Sequence, residues 1–150
     1  MHRILPAPFS WFVWAAMALL VATNARAADP PKLAIQGYDP VAYFTQKQPT
    51  QGKSEFTYDW DGLRYHFANA ANRDRFAADP DHYAPNYAGN CAGTVATQGE
   101  RVPANPKYWL VVDDKLYLFA FQKGPELFTK EPGLIKQADA KWSMIRKSDK

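Results

Sequence analysis

Cysteine is nearly missing from the chain. Its 150 residues hold one, Cys91, which excludes an intramolecular disulfide and leaves a single thiol to account for. Histidine is almost as scarce, with three in all, and no two stand at the spacing of a zinc site. There is no Gly-x-Ser-x-Gly elbow and no glycine-rich loop that would cradle phosphate, so the familiar hydrolase, nucleotide-enzyme and zinc-protease patterns find no support. Low-complexity tracts are absent, and no repeat at a fixed period is visible. Charge of one sign is also in short supply. The formal charge is +3, but Arg3 and Arg26 belong to an N-terminal stretch that contains no acid; without those two the remainder carries about +1, too little for binding nucleic acid by phosphate neutralisation.

What the chain does have is apolar and aromatic. Its composition is 47% hydrophobic and 15% aromatic, which excludes a disordered chain. Part of that content lies in residues 1–27. Arg3 precedes the apolar stretch Phe9 to Ala22, and Ala25-Arg26-Ala27 forms a small-x-small cleavage pattern. The stretch falls short of the ~20 residues of a spanning helix, so a cleaved secretory signal is expected rather than an anchor. No cysteine follows the cleavage pattern, which removes the lipoprotein route. The expected product is a soluble single domain, residues 28–150, in a bacterial periplasm or outside the cell, with no stable membrane anchor. A domain of that length can bury a core without disulfide staples.

Along this domain, Asp39 before Pro40 suits a turn or helix start, with Val41, Tyr43 and Phe44 as core candidates. Glu55 to Trp60, Asp61-Gly62 and Leu63 to Phe67 read as a hairpin around a type I′ turn. Alternation sets Leu63, Tyr65 and Phe67 on one face and His66 on the other. Asn69 is expected to cap a helix over 70–78, and Asp79-Pro80 to start a short turn through Tyr83. Tyr108 to Val112, Asp113-Asp114 and Lys115 to Phe121 read as a second hairpin, followed by helices over 125–130 and 133–147. In the last helix Leu134, Ile135, Ala138, Trp142 and Ile145 recur at three- and four-residue steps, so it should dock by one face. The expected class is α+β: a small antiparallel sheet built from two hairpins, short helices packed on it, and a C-terminal amphipathic helix. The passage from Tyr87 to Gly93 has no regular pattern.

Several segments together resemble the YHS domain family in its small exported form. They are Gly37-Tyr38-Asp39-Pro40-Val41-Ala42-Tyr43-Phe44, Tyr65-His66-Phe67, Asn72-Arg73-Asp74-Arg75-Phe76 and Asp79-Pro80-Asp81-His82-Tyr83, with Tyr87-Ala88-Gly89-Asn90-Cys91-Ala92 and Val111 to Leu118 beyond. The resemblance implies a compact α+β domain and, for the metal-binding members, transition-metal ligation by cysteines. This chain has Ala42, Ala68 and Asn72 where those members carry the three thiols, so that coordination does not transfer.

The remaining chemistry-bearing pair is His66 and Cys91, since imidazole and thiolate suit a soft, copper-type ion. Two ligands are few, and Tyr87 is the candidate to complete a cofactor or ligand site beside them. The bland alternatives are a half-exposed strand histidine and a small buried hydrophobe. His82, in a charged turn, reads as solvated surface. Tyr38, Tyr43, Tyr65, Tyr87, Trp109 and Tyr117 read either as the lining of a pocket whose hydroxyls orient a ligand or, as the favoured account, as core with hydroxyls satisfied near the rim. The leading expectation is a non-catalytic exported module that binds a transition metal or small ligand near His66 and Cys91. Two others stand beside it: a metal-free domain that binds a protein partner, and a thiol-dependent enzyme with Cys91 as nucleophile and His66 as base.

Overall fold

A computed structural model describes residues 29–148, so the expected secretory leader lies outside the described residues. The class is α+β in one small domain. Strand β1 (Lys32–Leu33) leads into a 3-10 turn, Ala34–Gly37, and helix α1 (Pro40–Thr45). Asp39 caps α1, its carboxylate accepting from the amides of Val41 and Ala42, and Pro40 at the first helical position needs no donor of its own. Strands β2 (Lys53–Trp60) and β3 (Leu63–Phe67) form the first hairpin, closed by Asp61 and Gly62 at φ 47° and 74°. Helix α2 (Ala70–Ala78) is capped by the Asn69 side chain on the Asn72 amide at 2.9 Å, and α3 (Pro80–Tyr83) follows.

A second 3-10 turn, Asn86–Gly89, opens the other half. It leads to α4 (Ala92–Gln98), the hairpin β4 (Asn105–Val112) and β5 (Lys115–Phe119), then α5 (Gly124–Lys130) and α6 (Gly133–Ser148). The hairpins do not share a sheet. One sheet has the order β1-β3-β2, with β1 parallel to β3, and the other is β4-β5 alone. Helix α4, in a passage that the sequence pattern leaves irregular, is the main element added by the structure.

The two halves are copies of one design, 52 positions apart. Ile35 and Gln36 at positive φ before Gly37 become Tyr87 and Ala88 before Gly89. The isolated bridge Tyr38 to Gln51 becomes Asn90 to Pro103. The hydrogen bond from the Asp39 amide to the Thr50 carbonyl (2.8 Å) becomes that from the Cys91 amide to the Val102 carbonyl (2.7 Å). Both hairpins shift register at the same place, between Lys53 and Thr57 in one and Asn105 and Trp109 in the other. This overturns the expectation of no fixed-period repeat. The repeat is hidden because the halves share only scattered residues, chiefly those that build each core.

Three of the shared residues are aromatic. In the first half Tyr65 and Phe67 meet Phe76 at ring distances of 4.7 and 5.2 Å; in the second Tyr117 and Phe119 meet Phe128 at 5.4 and 5.3 Å. Each trio is buried and anchors its own cluster, a hairpin face closed by a helix. Helix α6 lies outside the repeat and packs on α4. Leu134, Ile135, Ala138 and Trp142 reach the second cluster, and the Lys141 ammonium donates to the Ala96 and Thr97 carbonyls at the end of α4. Among the described residues no helix is long and apolar enough to cross a membrane.

Candidate functional site

Ala42, Ala68 and Asn72 converge on one atom group. The Asp39 carboxylate is fully buried and accepts from the amides of Ala42 (3.3 Å) and Ala68 (2.9 Å) and from the Asn72 side chain (2.6 Å), besides the Val41 amide. Its two oxygens therefore have four donors around them, and nothing is left to bind a guest. The same place in the second half has no such network. Cys91 stands for Asp39 and Gly124 for Asn72, and a mainly apolar cavity of about 220 Å³ opens there between α4, α5 and Leu134.

The predicted ligand pair belongs to different halves of the repeat. His66 is half-buried on β3, opposite Thr57, and its Nδ1 lies 3.4 Å from the point where a Cβ on Gly37 would stand. Cys91 is fully buried at the head of α4, within the second cluster and bridged to Leu118, the residue that corresponds to His66 in that half. No hydrogen bond joins the two. Among the described residues there is no group of three or more His, Cys, Asp or Glu side chains that could hold a metal ion. A soft-metal shell thus lacks its donor set here. His82 is less solvated than its turn suggests: it packs on Phe44 and Tyr83 and points its Nδ1 at Asp114, 3.2 Å away.

Tyr87 is placed differently. It lines a cleft of about 330 Å³ between the first hairpin, the second 3-10 turn and α6, whose wall also includes Trp60, Tyr65, Asp139, Trp142 and Arg146. A second cavity of about 320 Å³ shares Asp61, Ala88, Trp142 and Arg146 with it, so the two form one groove. The buried Tyr87 hydroxyl donates to Asp139 at 2.9 Å, and its ring meets Trp142 edge-on at 5.9 Å. At the rim Arg146 reaches Asp61 at 3.7 Å, a contact between α6 and the first hairpin turn. The positive φ of Tyr87 and Ala88 turns the chain into this cleft, but Ile35 and Gln36 adopt the same conformation. That strain belongs to the repeated fold and does not by itself mark a site.

The sequence reading named Tyr87 as a companion of His66 and Cys91, whereas the structure places it beside Asp139, Trp142 and Arg146. Asp139, Trp142 and Arg146 sit at three- and four-residue steps on α6, so the polar members of that face were the available signal.

Burial dominates the tyrosines. It pushes the Tyr117 phenol up to about 12, with the charges of Asp139 and Asp113 acting in the same direction. Tyr43, Tyr65 and Tyr87 are raised further, again mainly by burial, and for Tyr87 by its bond to Asp139 as well. In the unfolded chain these phenols ionise near pH ~10. The folded state holds their protons more tightly, so this contribution to stability is complete below that pH and is lost as the pH climbs through 12. Tyrosinate absorbance should rise in two stages on alkaline titration, the second coinciding with loss of far-ultraviolet circular dichroism. A single smooth rise with the fold intact would contradict it.

No family model, curated protein or solved structure matches this chain.

Proposed function

We propose that this chain is an exported, non-catalytic binding module of the YHS type that takes a small ligand in the cleft lined by Tyr87. The observation that carries the reading is the cleft itself. Three separated parts of the chain enclose a volume within the usual range of small-molecule sites, with aromatic walls and a few polar groups, as such sites require. The family assignment draws support from the convergence of positions 42, 68 and 72 on Asp39. Export rests on the leader pattern in residues 1–27.

The reading leaves metal out. Protein purified after export should carry the same negligible copper and zinc as its Cys91→Ser and His66→Ala variants; stoichiometric copper lost in both variants would restore the metal reading. For the cleft, saturation-transfer NMR against a library of small polar metabolites is expected to yield binders whose signals vanish with Trp142→Ala and persist with Leu127→Ala. A library without any Trp142-dependent binder would refute the proposal.

One observation favours the protein-partner alternative: Phe121 and Leu127, 45% and 50% exposed, rim the apolar cavity near α5. Binding lost with Leu127→Ala and retained with Trp142→Ala would support that alternative.

A further inference from the structure

The charge on the cleft wall narrows the ligand class. Besides its aromatic side chains, the 330 Å³ cleft is lined by three carboxylates, Asp61, Asp81 and Asp139, and by one cation, Arg146. Arg146 reaches Asp61 at 3.7 Å, so among the described residues lining this cavity the carboxylates outnumber the cations. Asp81 on α3 and Asp139 on α6, which also accepts from the Tyr87 hydroxyl, face the space, and Arg101 lies farther along the groove in the second cavity. An anion entering here would meet like charge, whereas a cation would gain from both carboxylates. Aromatic rings add to this preference because their faces attract cations. Trp142 already receives one: the Arg101 guanidinium stands over its ring, 5.2 Å from the centroid, on the side of the groove formed by the second cavity.

We infer that the ligand of the cleft is an organic cation, an alkylated or quaternary amine whose charge lies between Asp81 and Asp139 with its methyl or methylene groups against Trp60, Tyr87 and Trp142. This deepens the reading above and rests on it. A bare metal ion would not use the aromatic wall, and among the described residues no three His, Cys, Asp or Glu side chains are grouped so as to hold one. An organic cation uses both features.

Choline and 3,3-dimethyl-1-butanol have the same shape and differ in charge, so the pair isolates the electrostatic part. Titrated against the mature protein by tryptophan fluorescence and by chemical-shift changes at the Trp60 and Trp142 indoles, choline is expected to bind about tenfold more tightly than the neutral analogue. The double variant Asp81→Asn with Asp139→Asn should remove that preference while leaving the neutral probe unchanged. Asparagine at 139 still offers an oxygen to the Tyr87 hydroxyl, so the wall should stay in place; an unchanged circular dichroism spectrum and melting temperature within a few degrees check this. Equal affinity for the two probes, or a choline preference that survives the double variant, would overturn the inference. If neither probe binds but the library yields a neutral or anionic ligand dependent on Trp142, the cation inference fails and the cleft reading stands. If nothing binds the cleft, both fail.

Discussion

Replacing Asp39 by alanine is expected to lower the unfolding free energy by about 4 kcal/mol, because buried donors left without an acceptor cost about 1–3 kcal/mol apiece and part of that is recovered by relaxation. Four donors are at stake: the amides of Val41, Ala42 and Ala68 and the Asn72 side chain, all on a carboxylate with no exposure to solvent. Loss of the α1 cap is included in that figure. The isosteric Asp39→Asn variant should cost about half as much. Its oxygen can keep the two bonds at the start of α1, while its amide group opposes the donors of Ala68 and Asn72. Urea unfolding of the three proteins decides the matter. An alanine variant within 1 kcal/mol of the parent would mean that the network is dispensable, and with it the account of how this half closes the space around positions 42, 68 and 72.

The second large effect is expected at Gly89, where the two strained turns meet. Its φ is +76°, and a Cβ built there would stand 2.7 Å from the Cγ2 of Ile35. That methyl belongs to a β-branched side chain, so it cannot retreat without a change of rotamer. The left-handed conformation costs alanine about 1–2 kcal/mol and the overlap about 1–3, giving about 3 kcal/mol for Gly89→Ala. Gly62 supplies the control. Its φ is +74°, and nothing lies within 4 Å of the added carbon, so Gly62→Ala should cost about 1 kcal/mol. Equal losses at the two sites would show that conformation alone matters and that the contact between the turns contributes nothing.

The residues legible from sequence were those whose structure is set by near neighbours. Asn69 capped its helix where expected, and Asp61-Gly62 closed the first hairpin with both residues at positive φ. Tyr65, Phe67 and Phe76 went inward, and Ala138 did the same from α6. Helix α4 escaped notice because Ala92 to Gln98 is short, carries glycine and threonine, and has an apolar head residue, Cys91, with no side-chain cap. The repeat escaped because its halves keep the aromatic trio and the turn glycine while exchanging the chemistry at other places. Asp39 answers to Cys91, His66 to Leu118 and Asn72 to Gly124.

That exchange also separates what each level of description determines. Order along the chain, capping, turn type and the faces of strands follow from contacts within a few residues, so the amino-acid sequence by itself settled the α+β class, both hairpins and the helices α2, α5 and α6. Which side chains share a space depends on segments far apart in the chain. Only the tertiary structure seated His66 and Cys91 in different halves, surrounded Asp39 with donors from α1, α2 and the end of β3, and brought Tyr87 against Asp139 and Trp142. The physical reason is that a helix or turn is held by local hydrogen bonds, whereas a cleft exists only where separately folded surfaces close on one another.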